Sequence, residues 1–580
     1  MNKLALSGGF FLVCASLAAC GGGGGDSDDA PLVPPANMSP VAVITPSSGS
    51  AYSTEAVSLD GTGSSDSDGE IAGYSWSQMS GPAISITDAD AAIAAFTVPR
   101  LASPAEIIIE LEVSDDDGAT HTASVGIRVA AAPVQLAVEI AGGSPFIDES
   151  PISLKVGDAT LDGITVTPDS LDWESSLEGT LASDVAFDEI VDITLGYGEH
   201  ILTLTGDFGD LGVVQYSEAI KVLPRKLEIP SYLSTPAAGY QVRVPVVLVT
   251  HIPTHDGVTL DLAEANYTYR PPEWTNNSVD DLITYIDIIN MRKKFILEEM
   301  SRFRGYKSPG NNPYLGYEVV EHYVFYEALP LAPRNNPFDA SQQMVDFAAL
   351  MARIDGVSWV DNESVREFWF NNYFNEKFQF WESNMSSPTT ADISNSDRDS
   401  GDLPVYTQTY IVYGTNYHRT QAEAIHNHGH QLEAMLDYVD RLHSGTSDLF
   451  WGKFVGLTGF PGPAMVPGRC GWTHQPPNTT INYGYSDQVV VEVDCEDWRP
   501  DGTGAKVPVN SDYFDSLSYA WPDGNIGIPQ RAETQFYIWW GQNMPGMDNN
   551  VPYNSTTMEN WWKFTGNWDA AITDQTKLYK

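Results

Sequence analysis

Alternating apolar and polar positions mark residues 39–225, where short runs rich in β-branched and aromatic side chains are separated by glycine and aspartate turns. Between residues 39 and 131 this pattern predicts strands at 41–44, 72–77, 107–113 and 125–129. The alternation is weaker from 134 to 225, although 198–205 is typical of a half-buried strand and Trp173 lies in a similar run. Both segments are therefore predicted to consist of β-strands.

The pattern changes after residue 225. A continuous apolar run at 244–249 predicts a buried strand, and Ser278 with Asp281 three residues later predicts a capping box that opens a helix ending near residue 303. Further strands are predicted at 317–325 and 365–370. A second helix is predicted at 340–354 and a loop at 383–403. Strands interleaved with helices indicate a large, mixed α/β domain.

The chain is strongly acidic, with 77 Asp plus Glu against 30 Lys plus Arg in 580 residues and a formal net charge of −47. This balance excludes nucleic acid as a natural partner, because phosphate backbones are bound by basic surfaces. It also disfavours docking on anionic lipid by charge alone. Since 13 of the 15 Trp and nine of the 11 His follow residue 225, we expect the chemistry to lie in the second part of the chain.

Residues 1–19 are predicted to be an export signal, because Lys3 is followed by an apolar run and then by Leu17-Ala18-Ala19-Cys20. These four residues resemble the lipobox of bacterial lipoproteins. The resemblance implies cleavage before Cys20, lipidation of Cys20 and anchoring in a lipid bilayer of the bacterial cell envelope, at the outer membrane or cell surface. The alternative is an ordinary secreted protein cleaved near Ala19. Residues 20–37, rich in glycine and aspartate, then form a flexible tether.

Four cysteines are present, and their positions agree with export. Cys14 would leave with the signal and Cys20 would take the lipid. Cys470 and Cys495 then remain, and an oxidising compartment favours a disulfide between them. This arrangement argues against a cysteine nucleophile.

The first β segment contains acidic turns at Asp66-Ser67-Asp68-Gly69 and Asp115-Asp116-Asp117-Gly118, with Tyr74-Ser75-Trp76 between them. Residues 59–69, 74–76 and 113–118, in this order, resemble the PKD-type immunoglobulin-like module of bacterial surface proteins. The resemblance implies a β-sandwich over 38–132 with Trp76 in its core. Turn carboxylates suit Ca²⁺, so the candidate calcium ligands are Asp66, Asp68, Asp115, Asp116 and Asp117; the alternative is that they are simply solvated. Residues 133–225 predict a second immunoglobulin-like sandwich.

Three histidines lie within five residues, in His426-Asn427-His428-Gly429-His430. If 421–442 is a helix, one stripe carries Glu423, His426, His430, Glu433 and Asp437, and the apolar side chains fall on another face. Two histidines one turn apart, with a carboxylate on the next turn, can bind one divalent metal ion such as zinc. We take His426 and His430 as candidate ligands, Glu433 as ligand or general base, His428 as a second catalytic candidate, and Glu423 and Asp437 as further or supporting carboxylates.

The spacing of this stretch is similar to the His-Glu-x-Gly-His helix of zinc peptidases, but Asn427 stands where that family has its general-base glutamate. Because asparagine cannot accept a proton from water, the resemblance does not carry the peptidase mechanism. The alternative for the whole stripe is a helix face that shows polar side chains to solvent. Gly429, at a cost of about 1 kcal/mol relative to alanine, indicates a close approach by another segment or a later start of the helix.

Secondary candidates lie elsewhere in the same domain. His251, His255 and Asp256 follow the predicted strand 244–249, where open α/β sheets bind ligands, although a plain turn is the alternative. His474 lies within the predicted disulfide loop. Aromatic faces in the tail can stack on sugar rings, although most are expected in the core; they are Trp498, Trp521, Phe536, Tyr537, Trp539, Trp540, Trp561, Trp562 and Trp568.

The sequence therefore predicts two β-sandwich spacers, over 38–132 and 133–225, followed by an α/β domain over 226–580. Residues 381–388, 426–430 and 542–546 of that domain resemble large secreted bacterial proteins, and this resemblance implies no function. Our first hypothesis is a metal-dependent hydrolase of an extracellular polymer, either a polysaccharide or a peptide. The second is a carbohydrate-binding or adhesive surface protein in which the metal is only structural.

Overall fold

A computed structural model of the chain describes residues 36–101, 103–130, 132–161, 163–265, 274, 276–458, 464–465, 468–524 and 529–580. The predicted signal at 1–19, Cys20 and most of the tether at 20–37 lie outside the described residues. The described chain divides into two compact units, with the main boundary after Gln135. None of the helices in these ranges combines the length and the apolar character needed to cross a bilayer.

The first unit is a β-sandwich. One sheet is antiparallel throughout and has the strand order Thr45–Pro46, Ala56–Asp60, Ile93–Thr97, Ile86–Thr87. The other has the order Ser50–Tyr52, Thr120–Ala130, Ala105–Asp115, Ile71–Ser80, and its first pair alone is parallel. Trp76 is buried in the core, as predicted, and its Nε1–H donates to the carbonyl of Ala91 at 2.9 Å.

The prediction of a strand at 41–44 is wrong. Only Val41 forms a backbone bridge there, with Ser65. The N–H of Val43 donates instead to the side-chain oxygen of Ser64 at 3.0 Å, so the ladder does not continue. The other three predicted strands are confirmed within longer strands.

The second unit contains most of another sandwich. Its five-stranded sheet has the order Phe146–Ile147, Val213–Leu223, Gly198–Asp207, Ser170–Ser175, Gly179–Ala182. The facing sheet consists of Ile164–Thr165, Pro151–Leu161 and Val191–Thr194, with Gln135–Ala141 also paired to the central strand. Trp173 is buried in the core. His200 is buried too, held by the Ser175 hydroxyl and the Gly196 carbonyl at 2.8 Å each, which is a structural role.

The rest of this unit is an α/β domain built on a five-stranded sheet. Its strands are β1 (Val242–His251), β2 (Leu315–Phe325), β3 (Glu367–Asn372), β4 (Asn384–Ser386) and β5 (Tyr410–Asn416), arranged in the order β2-β1-β3-β5-β4. Only the edge pair β4–β5 is antiparallel. Alternate side chains of β1 enter two different cores, so the sheet is covered on both faces, as its continuous apolar run predicts.

Helices of this domain pack against both faces of the sheet. The described ones are α1 (Ser231–Ser234), α2 (Val279–Met300), α3 (Phe347–Arg353), α4 (Gly356–Asp361), α5 (Gln421–Ser444), α6 (Ser511–Ser516), α7 (Arg531–Asn543), α8 (Trp562–Gly566) and α9 (Trp568–Thr573). One core combines α5 and α7 with the C-terminal half of α2, and the other contains α3 and α4. The aromatic tail lies in the first core: all nine side chains named above are at most 5% exposed.

Short elements complete the domain. Small sheets are formed by Leu331–Asn335, Gln343–Val345 and Phe378–Gln379, by Leu457–Thr458 with Ala464–Met465, by Val491–Val493 with Val507–Val509, and by Pro552–Tyr553 with Thr556–Thr557. A π-helical segment spans Asp448–Val455, and 3₁₀ turns span Gly209–Leu211 (in the second sandwich) and Cys495–Asp497.

The N-terminal ends of two predicted helices differ in how well the sequence predicts them. The cap at α2 is confirmed, because the Ser278 side chain accepts from the N–H of Asp281 at 3.1 Å. The helix predicted at 340–354 is wrong in its first half, where Gln343–Val345 pairs with two other short strands. Helix α3 begins only after Asp346, whose carboxylate accepts from the N–H of Ala349 at 2.9 Å.

Candidate metal centre

Helix α5 carries two of the three histidines that meet in this domain. It follows β5 after a short connection, and the side-chain oxygen of Thr420 caps its start by accepting from the N–H of Ala422 at 3.3 Å. Because a helix turns about 100° per residue, His426 and His430 lie one above the other. Ile425 and Leu432 fall on a different face and pack in the core against the sheet. The predicted helix is therefore confirmed, with His426 and His430 on one face of it.

The third histidine arrives on the loop that follows Cys470. The predicted disulfide between Cys470 and Cys495 is confirmed. Gly429 allows this loop to approach α5, since a Cβ at Gly429 would lie 2.6 Å from Oγ1 of Thr473. Thr473 in turn donates its N–H and hydroxyl to Oε1 of Glu433, at 2.8 and 2.6 Å. The close approach that the glycine indicated is that of the loop carrying His474.

The Nε2 atoms of His426, His430 and His474 converge on one point. Nε2 of His430 lies 3.0 Å from that of His426 and 2.9 Å from that of His474, and all three ligand atoms lie within 4.8 Å of one another. A tetrahedral zinc ion with Zn–N bonds of about 2.05 Å separates two nitrogens by about 3.3 Å. The two distances from Nε2 of His430 differ from this value by a few tenths of an ångström, and the third lies within 4.8 Å, so the three side chains can meet at one such ion.

The opposite ring nitrogens are held by the surrounding protein. Nδ1 of His430 is 2.9 Å from Oε2 of Glu433; because the carboxylate accepts, Nδ1 carries a proton, and in the neutral ring the lone pair is therefore on Nε2. Nδ1 of His426 lies 3.0 Å from the hydroxyl of Tyr537, which donates to the carbonyl of Thr473 at 3.2 Å. Both oxygens of Glu433 are thus engaged, and this residue orients His430 in the way that carboxylates support metal-binding histidines.

The charge state of the imidazoles suits metal binding. Burial, together with the nearby charge of His430, lowers the pKa of His426 to about 2 and that of His474 to about 4. Burial also acts to lower the pKa of His430, but the hydrogen bond and charge of Glu433 outweigh it, so this pKa is raised. Two of the three rings are therefore neutral, as ligands must be, and the carboxylate beside the third attracts a cation.

A cleft of about 340 Å³ lies beside the three histidines. Glu382 reaches into it, with Oε2 3.9 Å from Nε2 of His430, and accepts from Nδ2 of Asn395 at 2.7 Å. Burial raises the pKa of Glu382. Trp472 and Tyr483 form aromatic walls, their ring centroids 4.6 and 4.8 Å from that of His474. The cleft therefore combines nitrogen ligands, a carboxylate and apolar surface.

His428 lies in a different environment, since a helix turns about 200° between residues 426 and 428. Its buried ring stacks on Tyr413 at 3.6 Å between centroids. Its Nε2 is 3.1 Å from Oε2 of Glu367, which also accepts from Nε1 of Trp369 at 2.8 Å. His428 therefore contributes to the core on the sheet side of α5, and it does not reach the cleft.

The remaining residues of the predicted stripe pair with arginines. Oε1 of Glu423 accepts from Arg419 at 2.7 Å, and Asp437 accepts from Nε of Arg441 at 2.9 Å. Asp437 lines the cleft, but neither carboxylate belongs to the group of converging ligand atoms. The Asn427 side chain faces away and donates to the carbonyl of Gly414 in β5.

The three candidates at the carboxyl end of β1 do not join the histidine group. His251 is fully buried, stacks on Phe325 at 5.1 Å and has its pKa lowered by burial to about 3. Nε2 of His255, whose side chain is 86% exposed, lies 2.9 Å from Oδ2 of Asp261. Asp256 accepts from the N–H groups of Val258 and Thr259 at 2.8 and 2.7 Å. The hydrogen bonds of Asp256 are those of a plain turn, which was the alternative prediction for this segment.

In the first unit, the acidic turns divide into two groups. Asp115 accepts from the N–H of Asp117 and of Ala119, at 3.0 and 2.8 Å, and the carboxylate of Asp68 accepts from the N–H of Met38. Asp66 and Asp116 face a common point, because a Cβ at Gly69 would lie 2.6 and 2.4 Å from their oxygens. Two of the five predicted calcium ligands thus converge.

Sequence reasoning missed Glu382, Thr473 and Tyr483 as residues of the centre, and it named Tyr537 only as one of the aromatic residues of the tail. Glu382 lies just before the predicted loop at 383–403, and no spacing relates it to the histidines. Thr473 and Tyr483 carried a usable signal, because both fall with His474 inside the loop closed by Cys470 and Cys495.

Comparison with known proteins bears on the first unit. A protein-family profile for a PKD domain matches residues 51–129. The PKD domain from the KIAA 1837 protein is 25% identical over 14% of this chain and 78% of that one, with a TM-score of 0.13. The PKD1 domain of Vibrio anguillarum Epp is 26% identical over 16% of this chain and 96% of that one, also with a TM-score of 0.13.

Another similar structure is a nucleoside hydrolase-related hypothetical protein from Saccharophagus degradans that is associated with carbohydrate metabolism. It is 26% identical over 16% of this chain, with a TM-score of 0.14, and the chain spans only 26% of that protein. A search of curated proteins finds no match. The profile match and the sandwich geometry agree with the resemblance noted in the sequence: residues 51–129 are a PKD domain.

Proposed function

We propose that the α/β domain is a metal-dependent hydrolase that binds one zinc ion through His426, His430 and His474. The observation that carries this proposal is the convergence of their three Nε2 atoms. Three protein ligands leave one position of a tetrahedral ion open, which is typical of catalytic zinc sites; structural zinc sites usually have four.

The surrounding residues supply the other functions that hydrolysis needs. A zinc ion in such a site lowers the pKa of a bound water towards 7 and polarises the bond that is attacked. Glu382, at 3.9 Å from Nε2 of His430, is placed to accept a proton in the cleft and so replaces the general base that Asn427 cannot be. Glu433 and Tyr537 fix the orientation of the two helical histidines.

The proposed substrate is an extracellular polymer, a polysaccharide or a peptide, bound along the open cleft beside Trp472 and Tyr483. The PKD domain and the second sandwich would act as spacers between this domain and a lipidated Cys20 in the bacterial envelope. Calcium at Asp66 and Asp116 would stiffen the first spacer. The alternative of an adhesive carbohydrate-binding protein has less support, because the nine aromatic residues of the tail are buried.

The metal content of the purified chain tests the proposal. Elemental analysis should find one zinc per chain in the wild type and in a His255→Ala control, and none in a His426→Ala/His430→Ala double variant. Equal metal in the wild type and the double variant would refute the site. Chelation should abolish hydrolysis across a polysaccharide and peptide panel, and added zinc should restore it. A wild type that holds zinc but hydrolyses nothing would support the adhesive alternative.

A further inference from the structure

We infer that Tyr483 is a fourth, exchangeable metal ligand that covers the centre until substrate displaces it; this inference rests on the proposed function. Its hydroxyl lies 3.2 Å from Nε2 of His474, the distance expected between two ligands of one tetrahedral ion. The ring lies over the other side of the centre as well, with its centroid 5.8 Å from that of His426 at an interplanar angle of 26°. The phenol oxygen is thus directed at the point where the three Nε2 atoms meet.

The backbone holds Tyr483 in this position. Its N–H donates to the carbonyl of His474 at 2.7 Å, which ties the two residues together at both backbone and side chain. Its φ is +63°, in the left-handed region that a bulky side chain rarely adopts. Such conformations persist where the surrounding structure imposes them, and they cluster at functional sites. The strained conformation therefore serves to place this ring over the histidines.

Metal binding changes the partner of the Tyr483 hydroxyl. Among the described residues, the hydroxyl has one hydrogen-bond partner, the Nε2 atom of His474. That lone pair is the one which a metal would use, so the hydrogen bond and the metal bond exclude each other. With a metal on Nε2 of His474, the phenol oxygen would lie beside the cation and would have no other acceptor in the described part of the chain, so coordination would replace the lost hydrogen bond.

Tyr483 differs from the three histidines in how firmly it is held. Tyr483 is 58% exposed, whereas His426 and His430 are buried and anchored through Nδ1 to Tyr537 and Glu433. Among the described residues, turning the Tyr483 ring towards solvent would break one side-chain hydrogen bond, the one to His474, and the ring contacts with His426, His474 and Tyr485. The histidines therefore form the permanent set of ligands, and Tyr483 is the ligand that leaves to admit substrate.

Copper(II) provides the test, because imidazole ligands bind it well and a coordinated phenolate gives it a charge-transfer absorption band in the visible region. The full chain is loaded with copper(II) as wild type, Tyr483→Phe and Tyr240→Phe, the last being a surface control in the same domain. We expect the band in the wild type and the control and its loss in Tyr483→Phe, with one copper per chain in all three. Stripping of zinc by a chelator should be about tenfold faster in Tyr483→Phe.

The outcomes separate the two proposals. A wild type that takes up no metal overturns the metal centre itself. A wild type that holds copper without the band, or a Tyr483→Phe variant that keeps it, overturns the assignment of Tyr483 and leaves the three-histidine site standing. Because the Tyr483 side chain is largely exposed, the variant should fold as the wild type does, which thermal unfolding monitors.

Discussion

Nε2 of His430 and Nε2 of His474 lie 2.9 Å apart although the two residues are 44 positions apart in the chain. A second neighbour, Nε2 of His426, is 3.0 Å from the same atom of His430. A proton on Nε2 of His430 can form one well-aligned hydrogen bond with one of these neighbours. One metal ion can bind all three nitrogens. This relationship makes the loop residue as important as the two helical ones.

Replacing His474 by alanine should therefore weaken zinc binding as strongly as replacing His430. We expect a loss of more than about 100-fold, because even the loss of a group that only supports a ligand costs about 10–100-fold. Competition with a chromophoric chelator measures the affinity, and His255→Ala is the control. An unchanged affinity in His474→Ala would remove the loop from the site.

Glu433→Gln should keep the fold and weaken zinc binding by about 10–100-fold, because its single amide oxygen cannot accept both from Thr473 and from Nδ1–H of His430, as the two carboxylate oxygens do. The glutamine oxygen can still accept from Thr473, so the loop should stay in place. Asp437→Asn, one turn further along the same face, should bind zinc as the wild type does. The same chelator titration compares the three chains, and equal affinities in all of them would contradict the role of Glu433.

Removing the disulfide, as Cys470→Ala/Cys495→Ala, should lower the free energy of unfolding by about 3 kcal/mol, because the closed loop spans 25 residues. Zinc affinity should fall as well, since the loop carries His474 next to Cys470. Urea unfolding with and without zinc measures both effects. Loss of stability with full retention of affinity would show that Thr473 and Glu433 alone position the loop.

Glu367→Ala tests the structural role of the pair with His428. Removing one member of a buried, hydrogen-bonded pair costs about 3–5 kcal/mol, here because His428 and Trp369 lose their shared acceptor. The folded fraction should still hold one zinc per chain. Where Glu367→Ala does not fold, Glu367→Gln keeps the volume and serves in its place. Loss of zinc from a folded variant would mean that this pair belongs to the centre.

Asp287, on α2, predicts a pH dependence of stability. Burial raises its pKa to about 6, and its Oδ1 has no hydrogen-bond partner. A carboxyl whose pKa is raised on folding holds its proton more tightly when folded, so its contribution to stability falls as the pH rises from about 4 to 6. Asp287→Asn should thus be more stable than the wild type by about 1–3 kcal/mol at pH 7, and no more stable at pH 4. Thermal unfolding at both values checks the sign.

The elements that were predictable are those whose signal is local. Helix α5 was indicated by a 3.6-residue period, and the cap at Ser278 by two side chains three positions apart. The strand Gln343–Val345 had no such signal, since it exists because two other strands pair with it, and it was predicted as helix. The residues of the centre follow the same rule: His426 and His430 were found by spacing, whereas Glu382 enters through the tertiary fold.

His428 shows how a local pattern can mislead in the other direction. Composition alone groups it with its neighbours, because three histidines in five residues look like one cluster. Helical geometry sends it about 200° away, to Glu367 in the neighbouring strand. The three histidines within five residues therefore indicate the helix that carries the centre. The helical period is needed to tell which of these histidines belong to the centre.

The approach of Thr473 to Gly429 has a consequence for transferring the site to other proteins. The missing side chain at Gly429 lets the loop pack against the helix, and this loop carries the third ligand, His474. Glu433 then accepts hydrogen bonds from Thr473 in the loop and from His430 in the helix. Residues 426–430 transplanted alone onto another helix would supply two ligands, and no segment would pack against the glycine between them. The transferable unit is the helix together with its disulfide-tied loop, so a scaffold search should require a small residue midway between the helical histidines and a partner segment that fits against it.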